Sequence, residues 1–116
     1  VRSAAYSPDG KRFAAPLDFS LGTFAVFNAT DGTQLKRIES HASKAMCVAW
    51  DPRGEYLITG GDDGQICFSD TESGQVIGII QVGEDPRRLA MLNESTLAAV
   101  TRQGSVFIWY AQPTIK

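Results

Sequence analysis

His41 is the only histidine in the chain, and histidine is the side chain best suited to move protons near neutral pH. Catalysis would also need an activated nucleophile, or an acid and a base paired within reach of each other. Serine and aspartate are plentiful, yet no such constellation emerges around His41. Asp62, Asp63 and Gly64 invite a calcium reading, but a calcium loop spreads several oxygen ligands over about twelve residues, which GGDDGQI does not. A β-turn fits better, with Gly64, like Gly10 earlier in the chain, supplying a positive backbone dihedral. Cys47 and Cys67 sit inside alternating apolar segments, which points to buried free thiols rather than a disulfide or half of a metal site. Neither GxGxxG nor a GKS/T phosphate loop occurs. The expectation is a protein without enzyme activity, cofactor or metal.

The bulk composition narrows the class further. The 116 residues suffice for one domain at most, and 43% hydrophobic with 21% charged residues suits a folded soluble protein. Eleven Lys and Arg against thirteen Asp and Glu leave a net charge of -2, so direct nucleic-acid binding is disfavoured, although a local basic patch remains open. No run approaches the roughly 20 apolar residues that span a membrane, and the opening VRSAAYSPDG lacks the apolar core of a secretory signal. These features predict a cytoplasmic or nuclear protein with no membrane partner.

The elements that position these side chains are short. Turn clusters stand at SPDGK (7–11), ATDGT (29–33), DPRG (51–54), GGDDG (60–64), TESG (71–74) and RQG (102–104). Between them apolar and polar residues alternate over spans too short for an amphipathic helix, which predicts an all-β chain. The spans also repeat. YSPDG at 6–10 returns as WDPRG at 50–54, a shift of 44, and TFAVFNATDG at 23–32 returns as QICFSDTESG at 65–74, a shift of 42. SVFIWYA at 105–111 follows after a further 40.

The middle copy reads as four strands, AMCVAW (45–50), EYLITG (55–60), QICFSD (65–70) and QVIGII (75–80). The first copy supplies VRSAAY, KRFAAP, TFAVFN and QLKRIE, and the third RRLAML, TLAAV and SVFIWY. A four-stranded meander must cover both faces, and stacking units around an axis does so. The period therefore predicts antiparallel propeller blades in an incomplete ring. The units are residues 1–40, truncated at the start, 41–81, the most complete, and 82–112, lacking a fourth strand, with a tail at 113–116. The aromatic residues on these strands, Trp50, Phe68 and Trp109 among them, are expected to pack between blades.

SHASKAMCVAWDPRGEYLITGGDDGQICFSDTESG resembles the WD40 repeat, which runs from Gly-His through a Pro-Asp-Gly turn and an Asp-rich turn to a strand ending in Trp-Asp. The resemblance puts His41, Thr59 and Asp63 at the places of the family's hydrogen-bonded tetrad, with Ser69 where its Trp would stand. In the other copies Phe27 and Asn28, then Trp109 and Tyr110, take the Trp-Asp place, while Val82 and Gln103 take the His and turn-Asp places of the third. The tetrad is complete in none. It implies that His41 clamps a loop to a strand through Thr59 and Asp63. AYSPDGKRFA also resembles the propellers of periplasmic translocation proteins and of the domain that shields prolyl peptidases, repeats that usually lack GGDDG and SH elements.

A ring of blades needs at least roughly 160 residues, so the missing blades are expected from the parent chain or from self-association. In WD40-like rings one face gathers the loops before first strands and between second and third strands. The matching residues are Asp18, Phe19, Lys44, Met46, Asp62, Arg87, Arg88 and Arg102. The arginines are expected to lie together, where their forked guanidinium groups could hold an acidic or phosphorylated protein or peptide. The resemblance implies a non-catalytic scaffold for protein–protein interaction. The alternatives are a propeller within an RNA- or chromatin-associated complex and an accessory propeller of a peptidase.

Overall fold

The computed structural model describes residues 4–18, 22–41 and 44–110. Eleven strands follow one another without a helix: β1 Ala5–Tyr6, β2 Arg12–Asp18, β3 Thr23–Asn28, β4 Gln34–Glu39, β5 Ala45–Trp50, β6 Tyr56–Gly61, β7 Gln65–Asp70, β8 Val76–Gln81, β9 Pro86–Asn93, β10 Thr96–Thr101 and β11 Val106–Tyr110. They form three antiparallel meanders, β1 to β4, β5 to β8 and β9 to β11. Strand ends differ from the sequence expectation by a residue or so. Phe19 and Leu21, the first three residues and the tail at 113–116 lie outside the described residues, as does the side chain of Asp18.

Glycine sets the turns. Gly10 and Gly64 have φ of 73° and 78°, a region where a Cβ would clash and glycine pays nothing sterically. Asp9, Asp31, Asp51 and Asp70 each accept a backbone N–H two residues on, so their side chains close the turns the glycines permit. Hydrogen bonds from Ser7 and the Lys11 N–H hold the Asp9 carboxyl below its ordinary value, and those from Thr33 do the same for Asp31.

The sheets stack face to face. Ala14, Phe24, Val26 and Ile38 of the first sheet meet Val48, Trp50 and Leu57 of the second in one apolar layer. Ala49, Ile58 and Ile66 of the second meet Leu97 and Ala99 of the third, flanked by Phe68, Ile80, Leu89, Met91 and Trp109. The middle sheet is thus covered on both sides, and β6 is buried at every position from Leu57 to Gly61. A strand buried on two faces cannot keep polar residues on one of them, which is why LITGG shows no alternation. β11, covered on one face, alternates between exposed and half-buried residues. β5 touches β1 and β2 on one side and β9 on the other, so the first strands gather along one edge of the stack. The sheets do not close into a ring.

Candidate functional site

His41 sits in the link between β4 and β5, its N–H donating to the Gly22 carbonyl at 3.3 Å. Its Nε2 lies 2.9 Å from the Thr59 hydroxyl on β6, and its Nδ1 lies 3.1 Å from both carboxylate oxygens of Asp63 in the β6–β7 turn. The ring meets Phe24 of the first sheet edge-on at 6.1 Å. Thr59 also bonds the Ser40 hydroxyl at 3.0 Å, and Asp63 accepts the Gln65 N–H at 3.1 Å. No side chain could replace hydrogen at Gly61, because a Cβ there would come within 2.6 Å of the His41 ring. The histidine joins a link, a strand and a turn.

This geometry offers little to covalent chemistry. Cys67 Sγ stands 3.9 Å from His41 Nδ1, but its thiol donates to the Ser40 carbonyl at 3.0 Å and burial pushes it up to about 11. Cys47 donates to the Pro86 carbonyl at 3.4 Å, and burial pushes that thiol up to about 12. A thiol held protonated at neutral pH is a poor nucleophile. Ser69 Oγ is buried with no hydrogen-bond partner among the described residues, and no base reaches it.

The residues expected on one rim are partly brought together. Lys44 and Asp62 exchange two bonds, Lys44 N–H to the Asp62 carboxylate at 2.9 Å and Asp62 N–H to the Lys44 carbonyl at 3.0 Å. Asp62 and Arg102 line one cleft of about 340 Å³, together with Asp63, Glu84 and Asp85. Met46 is half-buried on β5. The arginines are partly brought together: Arg87 and Arg102 both bond Asp85, and Arg88 lines another groove. Arg87 spends its guanidinium on Asp85 at 3.1 Å. Arg88 is exposed and lines a different groove, beside Tyr6, Val48 and Met91, next to the bulge that leaves Arg87 unpaired. Arg102 is exposed at the β10–β11 turn, its N–H donating to the Asp85 carbonyl at 2.8 Å.

An apolar groove opens between the second and third sheets, near the β5–β6 and β9–β10 turns. It holds about 480 Å³ and is lined by Ile58, Phe68, Ile80, Met91, Leu97 and Trp109, with Asp51, Tyr56, Glu94, Ser95 and Tyr110 also on its wall. Sequence reasoning assigned Phe68 and Trp109 to packing and passed over the others. The recoverable signal was the register: Ile58 pairs with Phe68 and Leu97 with Trp109, so each pair shares a sheet face.

Residues 32–70 match the family model described as WD domain, G-beta repeat. The chain fits the crystal structure of the Myceliophteria thermophila Cps50 (Swd1) beta-propeller domain with a TM-score of 0.78 at 14% identity, over 93% of this chain and 36% of that one. Residues 32–70 are a WD40 repeat, and the chain as a whole has the propeller fold. Its three sheets are therefore propeller blades. Eukaryotic translation initiation factor 3 subunit I of Candida albicans is 33% identical over 95 residues, covering 70% of this chain and 27% of that protein. WD repeat-containing protein 1 of Mus musculus is 33% identical over 113 residues, covering 94% of this chain and 18% of that protein. The chain thus spans about a quarter or less of these curated relatives.

Proposed function

We propose that this WD40 segment is a non-catalytic scaffold that binds other proteins within a larger assembly. The observation that carries the reading is the apolar outer face of the third sheet, where Leu92, Val106, Ile108 and Tyr110 are 59%, 64%, 46% and 69% exposed. Tyr6 and Leu35, 70% and 51% exposed on the first sheet, mark the opposite end of the stack. Contiguous apolar surface of this kind is covered by protein in a working molecule, and the free edge of β11 adds unpaired backbone groups. Blades of the parent chain, or a second copy, are the coverings. A relative named as a subunit of a translation initiation factor supports membership of an assembly and a cytoplasmic setting.

On the rim, the reading extends to an acidic or phosphorylated partner segment held by Arg88, whose guanidinium group is not engaged in an ion pair among the described residues, while Arg102 stands among Asp62, Asp63, Glu84 and Asp85. Lys44, Met46 and Asp62 would frame it. Light scattering over a concentration range tests the coverings: a discrete dimer or trimer assigns the faces to a second copy, and a monomer assigns them to further blades. Pulldown with Arg88→Ala tests the rim, and full retention of an acidic partner removes that site.

A further inference from the structure

We propose that the groove between the second and third sheets receives a basic side chain, lysine or arginine, carried on an apolar stretch of a partner polypeptide. This rests on the protein-binding reading above and names the chemistry of one partner. Among the described residues the groove combines three features. Its floor, Ile58 and Leu97, is buried, and Phe68, Ile80, Met91 and Trp109 extend the apolar lining. Three aromatic side chains, Tyr56, Phe68 and Trp109, face it. Its only charged groups are two carboxylates, Asp51 and Glu94, and no lysine or arginine lines it.

Neither carboxylate is spent elsewhere on a cation. The ion pairs among the described residues are His41 with Asp63 and Arg87 with Asp85. Asp51 is oriented by the Arg53 N–H at 3.1 Å, which leaves its charge uncompensated by any side chain. Glu94 belongs to the β9–β10 turn, fixed by Asn93 Oδ1 accepting the Ser95 N–H at 2.9 Å. The wall is therefore built before a ligand arrives, which lowers the ordering cost of binding.

The occupant follows from complementarity. An acidic segment would bring like charge to Asp51 and Glu94, and a wholly apolar one would strip water from two carboxylates and give nothing back. A lysine or arginine lays its methylene stem along apolar surface and keeps its charged head at the edge, where aromatic faces attract a cation. At about 480 Å³ the groove exceeds one such side chain, so an apolar neighbour on the same segment completes the fill. That neighbour is why the occupant is a polypeptide and not a small amine.

The test uses the whole 116-residue chain against an array of short peptides with leucine or phenylalanine flanking one variable position. That position holds arginine, lysine, citrulline or norleucine, and the best spots are titrated in solution. Arginine or lysine is expected to bind about tenfold more tightly than citrulline or norleucine. Glu94→Gln with Asp51→Asn should remove most of that preference while leaving the far-ultraviolet spectrum and melting temperature unchanged, since Asn keeps the acceptor of the Asp51 turn. Tyr56→Ala, on the same sheet face as Ile58 and at the groove's rim, should weaken arginine binding several-fold. Equal binding of all four peptides, a preference that survives the double substitution, or no binding up to about 1 mM overturns the proposal. Loss of peptide binding with intact protein partners in pulldown sinks the groove alone and leaves the scaffold standing.

Discussion

Replacing His41 by alanine is expected to cost about 3 kcal/mol of stability. The ring is fully buried and its two nitrogens are both engaged, at 2.9 Å to Thr59 and 3.1 Å to Asp63. A neutral hydrogen bond contributes about 1 kcal/mol net, and one to a carboxylate about 1.5 to 3. The void left by the ring adds roughly 1 kcal/mol. Two contacts limit the loss: Thr59 keeps the Ser40 hydroxyl at 3.0 Å and Asp63 keeps the Gln65 N–H at 3.1 Å, so neither partner is orphaned. Urea unfolding followed by tryptophan fluorescence measures the cost, at one protein concentration because association shifts apparent stability. A double-mutant cycle with Asp63→Asn should give a coupling of about 1 kcal/mol. A cost below about 1 kcal/mol, or additivity within about 0.3 kcal/mol, would refute the idea that this ring clamps the link to the strand and turn.

Three further outcomes follow from the packing. Ser69→Ala should raise stability by about 0.5 to 1 kcal/mol in the same assay, because the buried hydroxyl has no partner among the described residues and its removal relieves a desolvation penalty. Gly60→Ala should cost about 2 kcal/mol, since a Cβ would lie 2.6 Å from Cys47 Sγ and 2.9 Å from Pro86 Cγ; pairing it with Cys47→Ala should recover part of the loss. Stability should be flat up to about pH 9 and fall above it, because Cys47 is raised from 9.0 to about 12 and Cys67 from 9.0 to about 11 in the folded state. Unfolding releases thiols that ionise more readily, so the stabilisation present below the unfolded pKa is lost as pH climbs through the folded ones, by up to about 1.4 kcal/mol per pH unit for each thiol. Urea midpoints between pH 8 and 11 should drop less steeply in Cys47→Ala.

The strands were legible because each turn carries its own chemistry. DPRG and GGDDG pair an aspartate acceptor with a glycine at positive φ, and such signals act over four or five residues without help from the rest of the chain. The position of His41 between Thr59 and Asp63 was legible only through the resemblance, since residues 18 and 22 apart in sequence meet through the fold. The division of the arginines was hidden by a bulge. Val100 pairs with Arg88 and Thr101 with Pro86, so Arg87 is the extra residue, turned toward Asp85 and away from its neighbour. The groove was hidden because Tyr56, Glu94 and Trp109 come from two sheets, and only the distance between those sheets creates the space.

The two joints of the stack are tied differently. The first is cross-tied by polar groups: Trp50 Nε1 donates to the Ala5 carbonyl at 2.8 Å, the Arg12 guanidinium lies 4.9 Å over the Trp50 ring and also donates to the Gly54 carbonyl at 3.1 Å, and Cys67 reaches the Ser40 carbonyl. The second has the Cys47 bond to Pro86 and an apolar layer, with Asp51 and Glu94 on the wall of its groove. Hydrogen bonds fix separation because they fail steeply with distance, whereas apolar faces tolerate a gap where no side chain is long enough to fill it. Ser69, the small residue at the Trp place of the middle blade, faces the first joint, as its pairing with Leu57 shows. Trp109, at the same place in the third blade, faces the second, through its pairing with Leu97. The joint with the smaller residue is the one that carries the polar ties, and the cleft at its rim, about 420 Å³, is lined by charged groups such as Arg12, Glu55 and Asp70. The joint with the tryptophan holds the apolar groove of about 480 Å³, which is where the proposed basic side chain would enter.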